Sequence, residues 1–112
     1  MTDQQITRGE IWWISLDPTQ GSEIRKTRPC VVLSHDTLNR LRRTVVVVPL
    51  SSTAKPHPPI TIPVTCQGGS CVAVIDQIRA VAKHRLKSRI ERLVQDELDE
   101  VCQAVARILE IR

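Results

Sequence analysis

The run TVVVVPL, residues 44–50, constrains the fold more than any other stretch of the chain. Its four consecutive valines are β-branched, and such residues favour extended backbone over helix. Successive side chains of a strand point to opposite faces, so a strand apolar at every position must be covered on both. A central strand is therefore expected here, and the rest of the chain has to cover it. The means are limited. The chain has 112 residues, enough for one domain over residues 1–112 with one modest core, and it contains no Phe and no Tyr. Core building falls to Val, Ile, Leu, Ala and the adjacent Trp12 and Trp13. Adjacent strand residues face opposite ways, so at least one of the two tryptophans is expected in the core. The absence of other rings counts against recognition by rows of base-stacking aromatics.

Around this strand the sequence reads as further short strands separated by turn signals. EIWWISL (residues 10–16) is strand-like, and a long polar loop, DPTQGSEIRKT, follows it. RPCVVLS is a second strand, with Pro29 at its first position, where a missing N–H is tolerated. HDTLNRL reads as a short helical turn with Asp36 as its N-cap. ITIPV alternates, placing Ile60, Ile62 and Val64 on one face, and Pro63 marks an edge strand or bulge. QGGS reads as a two-residue hairpin turn through Gly68 and Gly69, which sets Cys66 opposite Cys71. CVAVID and QIRAVA continue as strands, whereas KHRLKSRIERL is ambiguous. The last element is a helix. Leu98, Val101, Cys102, Val105, Ile108 and Leu109 fall on one face of a 3.6-residue period. Asp96 is the expected cap, and the acids that follow it suit the first turn through the helix dipole. Many strands followed by one helix indicate a mainly β fold: a small curled sheet or partly open barrel with a C-terminal helix packed against it.

The net charge of +4 conceals a polarity: residues 1–90 carry +7 and residues 91–112 carry −3. A basic body suits a polyanionic partner, either nucleic acid or an acidic protein segment. No apolar run approaches the roughly 20 residues of a membrane span. The opening MTDQQITRGE has no apolar signal core, so the cytoplasm is the expected compartment. The four cysteines lack the paired spacing of a zinc site, and Cys66 and Cys71 are expected as free thiols that serve packing.

No GxSxG elbow, phosphate-binding glycine loop or HExxH motif is present, and the acids of the strand-rich portion are scattered one per segment. That scatter disfavours two-metal hydrolysis, which needs clustered carboxylates. What remains is a pairing of cation and hydroxyl. Arg28 lies where the polar loop enters its strand, and Ser51, Ser52 and Thr53 follow the exit of the central strand. Antiparallel pairing of those strands would set a guanidinium beside a hydroxyl, and a guanidinium is a planar fork suited to phosphate.

RGEIW, the loop GSE, RP entering an apolar strand, VVVVPLSS and VIDQIRAVAKHRL occur in order along nearly the whole chain. In these features the chain resembles the MazF/PemK toxins of bacterial toxin–antitoxin systems. The resemblance implies an SH3-like partly open barrel, of the kind shared by CcdB and MazF, that forms a homodimer. It implies cleavage of single-stranded RNA without metal or cofactor, leaving a 2′,3′-cyclic phosphate and a 5′-hydroxyl. The family's arginine before proline falls on Arg28. Its hydroxyl residue at the end of the central strand, often Thr, falls on Ser51, with Ser52 able to share the role. Glu23 matches a loop acid and is a candidate base, and Gln77 matches a position near the RNA groove. Arg25, Lys26, Thr53 and Arg79 complete the expected RNA-binding set. The implied partners are RNA, an antitoxin with an acidic segment, and operator DNA reached as the toxin–antitoxin complex. Two other readings are a CcdB-like gyrase poison and a non-catalytic DNA-binding barrel. The CcdB family ends in a Trp-containing segment, whereas this chain ends RILEIR.

Overall fold

The computed structural model describes residues 5–16 and 26–111. The elements are β1 (Glu10–Ser15), β2 (Thr27–Val32), α1 (Asp36–Leu41), β3 (Thr44–Ser51), β4 (Thr61–Cys66), β5 (Gly69–Val74), β6 (Arg79–Ala82), β7 (Leu86–Arg92) and α2 (Gln95–Ile108). Single turns of 3-10 helix at Ile75–Gln77 and Lys83–Arg85 connect β5 to β6 and β6 to β7. The strands lie in the order β4-β5-β3-β2-β1-β7, with β6 also on β3, and the pairings are antiparallel. Among the described residues no helix is long and apolar enough to cross a membrane.

The valine-rich strand β3 is the pivot. One of its edges pairs with β2. The other pairs with β6 from Thr44 to Val47, then with β5 at Leu50 and Ser51. A strand that changes partner midway belongs to two sheets and turns the corner between them, which curls the sheet into a partly open barrel. Its alternating side chains serve two cores. Val48 and Leu50 join Ile11 and Val31 in the cluster that packs Leu98, Val101 and Ala104 of α2. Val45 and Val47 join Trp12, Ile14, Cys30 and Val32 in a second cluster on the other face. Trp12 is buried and Trp13 only partly so, as opposite-facing neighbours require.

Several local expectations are corrected. The turn of the β4–β5 hairpin is Gln67-Gly68, not Gly68-Gly69. Cys66 pairs with Gly69, and Cys71 lies opposite Val64. Both turn residues have positive φ, 55° at Gln67 and 74° at Gly68, and the Glu91 carboxylate of β7 accepts the Gln67 N–H. A contact from a strand distant in sequence thus accompanies the register. Cys66 and Cys71 are free thiols. Asp36 does not cap α1: His35 Nδ1 accepts the Thr37 N–H at 3.0 Å, while Asp36 accepts the Arg8 N–H at 2.7 Å. Asp96 lies inside the first turn of α2, whose N-cap position is Val94 without a side-chain cap. Its neighbour Glu97 accepts the N–H and hydroxyl of Thr65 at 2.9 and 3.1 Å, tying α2 to β4. Ile60 precedes β4 and Leu109 follows α2, and each is about half exposed because it has left its element. Pro29 is the third residue of β2 and pairs with Trp13; the ladder to β3 begins only at Cys30, so the missing N–H falls beyond its end.

Candidate active site

The site follows from the register of β2 on β3. Cys30 pairs with Pro49, Val31 with Val48 and Val32 with Val47. Arg28 and Ser51 each lie two residues beyond the end of that ladder, and both line one cavity. Arg79 enters from β6, paired with Val47. The Cys30 thiol reports the charge gathered here. Burial pushes it up to about 12, against the opposing pull of the Arg79 and Arg28 guanidiniums.

Ser51 is 92% buried by its 8% exposure, and its hydroxyl is engaged locally. Its Oγ accepts the N–H of Thr53 at 3.2 Å and of Ala54 at 3.1 Å, closing the turn that leaves β3. A hydroxyl oxygen has two lone pairs and one proton. With both lone pairs taken, Ser51 is left as a donor, with Thr53 Oγ1 3.4 Å away as one neighbour. Such a group is poorly suited to act as base or nucleophile and well suited to give a hydrogen bond to an anionic oxygen.

Arg28 and Ser51 also border an open cavity of about 460 Å³. It is also lined by the apolar Trp13, Pro29 and Leu50, by the polar Lys26, Thr27 and Ser52, and by the hairpin residues Gln67 and Ser70. Cys66 and Cys71 line the hairpin side, and no carboxylate is among the described lining residues. Burial raises both thiols, Cys66 to about 11, and Glu91 beside them adds to the shift. Lys26, at φ 69°, accepts the Leu16 N–H at 3.0 Å through its carbonyl, which ties the start of β2 to the end of β1.

The site residues expected from the sequence therefore divide. Arg28, Ser51, Ser52 and Lys26 come together at the cavity. Arg79 is not among the described lining residues, but its guanidinium and that of Arg28 both act on the Cys30 thiol. Thr53 is exposed in the turn closed by Ser51, and Gln77 ends the 3-10 turn after β5; neither is among the described lining residues. Glu23 and Arg25 lie outside the described residues. The hairpin wall was not foreseen. Its only sequence signal is a polar turn without charges, and nothing local says that such a turn faces Arg28.

The cluster places a guanidinium and a hydroxyl donor at one open cavity, an arrangement that can hold a phosphoryl group. The relatives agree in kind. The family model described as PemK-like, MazF-like toxin of type II toxin-antitoxin system matches residues 7–109. A Mycobacterium tuberculosis protein named Endoribonuclease MazF9 is 40% identical over 115 aligned residues, covering 95% of this chain and 98% of its own. A crystal structure of MazF from Deinococcus radiodurans superposes with a TM-score of 0.86 at 25% identity, covering 96% of this chain and 99% of that one. A MazE-MazF structure from the same organism gives 0.80 at 21% identity, covering 98% of this chain and 100% of that one. With the fold, the order of motifs and a 40% identical relative in agreement, the chain belongs to the PemK-like, MazF-like toxin family of type II toxin–antitoxin systems.

Proposed function

We propose that this toxin is an endoribonuclease whose reacting phosphate sits between Arg28 and Ser51. The observation that carries the reading is that both line one open cavity just beyond the end of the β2–β3 ladder. The activity printed in the name of the MazF9 relative supports it. The reaction is an internal transfer. The ribose 2′-oxygen forms a bond to the adjacent phosphorus as the bond to the 5′-oxygen breaks. The 2′-hydroxyl gives up its proton to a base, and the departing 5′-oxygen gains one. The products are a 2′,3′-cyclic phosphate and a 5′-hydroxyl, and no water is consumed. Arg28 stabilises the charge that builds on the phosphate oxygens, and Ser51 donates a hydrogen bond to one of them. Arginine is too weak an acid to be the main proton donor, so its role is electrostatic. Glu23 is the proposed base. Lys26, Arg25, Arg79, Ser52, Thr53 and Gln77 are assigned to binding the strand.

The partner assignments belong to the same proposal. The active species is a homodimer, and an antitoxin with an acidic segment neutralises it by ordering on the basic groove. The solved MazE-MazF complex of the Deinococcus protein supports such a partner. Operator DNA is bound through that complex. The test is to incubate the purified protein with mixed-sequence RNA in EDTA and to analyse the ends. Cyclic-phosphate and 5′-hydroxyl ends from the wild type, absent with Arg28→Ala, are the expected result. Intact RNA, or equal cleavage by Arg28→Ala, would overturn the reading; cleavage that stops only in EDTA would overturn its metal-free form.

A further inference from the structure

The acids of this chain leave one stretch of surface to cations. No Asp or Glu occurs between Asp36 and Asp76, and none between Asp76 and Glu91. The fold brings these two acid-free segments together. The Lys83 N–H donates to the Arg43 carbonyl at 2.9 Å, where the pairing of β3 with β6 ends. Lys83 Nζ lies 3.5 Å from the Arg40 carbonyl, near the end of α1. Arg40, Arg42 and Arg43 are exposed, and among the described residues none of the three is in an ion pair. Asp36, the acid nearest to them in sequence, accepts the Arg8 N–H at 2.7 Å and the Asn39 carboxamide at 3.4 Å through Oδ1.

Part of this charge has a local use. Arg40 and Lys83 stand at the C-terminal end of α1, where the helix dipole favours cations. Arg42 and Arg43 lie beyond the helix. With Leu41 and Thr44 they line an open hollow of about 330 Å³. Two guanidiniums and a hydroxyl at one hollow are suited to phosphate oxygens. The hollow is at the start of β3 and Ser51 is at its end. A strand of this length at about 3.3 Å per residue sets them roughly 20 Å apart, too far for one nucleotide to touch both. A nucleic acid strand held at Arg28 runs on past the cut, and it brings a regular row of phosphates toward such a face whatever its sequence.

We infer that the hollow at Arg42 and Arg43 is an exosite for the sugar–phosphate backbone of the RNA several nucleotides from the cut, so that a long RNA binds more tightly than the segment around the cut alone. The exosite rests on the ribonuclease reading above, and its test separates the two. Binding is measured with short and long mixed-sequence 2′-O-methyl oligonucleotides, which cannot undergo internal transfer, and cleavage with the corresponding RNA. In the double variant Arg42→Gln, Arg43→Gln the long oligonucleotide should lose most of its advantage over the short one. The slope of log affinity against log salt should fall by about 1.4, at about 0.7 for each phosphate contact on a single strand. Arg42→Lys with Arg43→Lys should restore most of both, because charge holds a backbone. Cleavage of the short RNA should be unchanged in either variant. An unchanged advantage of the long oligonucleotide would overturn the exosite. An equal fall for both lengths would also overturn it, because a merely structural role predicts that result. So would an altered size in solution, which would assign the arginines to a subunit contact. Loss of polyglutamate binding with oligonucleotide binding intact would overturn it and assign the face to an acidic protein segment. A wild type with an arginine-dependent length advantage that never cleaves would support the exosite and overturn the ribonuclease. No binding and no cleavage would overturn both.

Discussion

Replacing Arg28 by Lys keeps the charge but loses the planar fork that can grip two phosphate oxygens. Arg28→Lys is therefore expected to recover little of the RNA cleavage lost in Arg28→Ala, while melting close to the wild type; near-complete recovery would show that charge alone suffices. Ser51 tests a different balance, because its Oγ already closes the turn through Thr53 and Ala54. Ser51→Ala removes that acceptor from two N–H groups and is expected to cost roughly 1–2 kcal/mol in stability, besides slowing cleavage. Ser51→Thr should retain both, since the hydroxyl stays; denaturation and cleavage of the pair separate the turn from the chemistry. Glu10 is a carboxylate of another kind. Burial pushes its pKa up, but the Thr7 backbone N–H, the Trp12 indole and the Arg89 charge outweigh that, and the net shift is downward. The Oε1 contacts are 2.8 Å to Thr7 and 3.1 Å to Trp12, and Arg89 Nε lies 2.8 Å from Oε2. A lowered folded pKa stabilises the fold above the ordinary carboxylate value, and that stability is lost as pH falls through the folded value. Denaturation from pH 7 to 3 should therefore show a steeper acid loss for the wild type than for Glu10→Gln, and parallel curves would remove Glu10 from the account.

At the scale of elements, the two glycines with positive φ sit in unlike places. Gly68 turns the β4–β5 hairpin at φ 74°, and a Cβ there would meet nothing within 4 Å. Gly9 precedes β1 at φ 94°, where a Cβ would lie 3.0 Å from Arg92 Nη1 and 3.1 Å from Leu98 Cδ2. Its N–H donates to Val32 O and its carbonyl accepts from Leu93, so β2 and the approach to α2 meet on this one residue. Gly68→Ala should cost about 1–2 kcal/mol from backbone strain alone. Gly9→Ala adds crowding of roughly 1–3 kcal/mol against Leu98 and the guanidinium. Equal losses in chemical denaturation would mean that the close approach of α2 to β1 does not matter. The contrast shows where sequence reading stopped. Both glycines are visible in the chain, but which one is crowded depends on α2, some 90 residues from Gly9.

For the whole molecule, the basic excess of residues 1–90 predicts how partners bind. Exposed charge pairs are screened over about 10 Å at 0.1 M salt and about 3 Å at 1 M. Association with RNA, or with an acidic antitoxin segment, should thus weaken steadily as salt is raised. Titration against an uncleavable oligonucleotide measures this, and affinity insensitive to salt would point to a mainly apolar contact. Two acids of the acidic end also brace the β4–β5 hairpin. Glu97 holds Thr65 and Glu91 holds Gln67, on the side of the hairpin that leads back to β7 and α2.

The sequence alone determined whatever a local pattern could encode. Four β-branched valines specify a strand covered on both faces, and β3 is that strand. A 3.6-residue repeat specifies α2 and its buried Leu98 and Val101. Arg28 and Ser51 were also legible as a pair, because antiparallel pairing of two neighbouring strands fixes which ends meet. Only the tertiary structure decided the rest. The turn at Gln67-Gly68 looks no better locally than one at Gly68-Gly69, and it is the turn that Glu91 of β7 holds. The caps at His35 and Val94 fell on residues that local preference does not favour, while Asp36 took a contact with Arg8 instead. Above all, the hairpin became a wall of the cavity because β3 changes partner midway and carries β5 and β4 round with it. Periodicity reports which face of an element is buried. Which elements end up facing each other depends on contacts between residues far apart in the chain, and no short pattern records those.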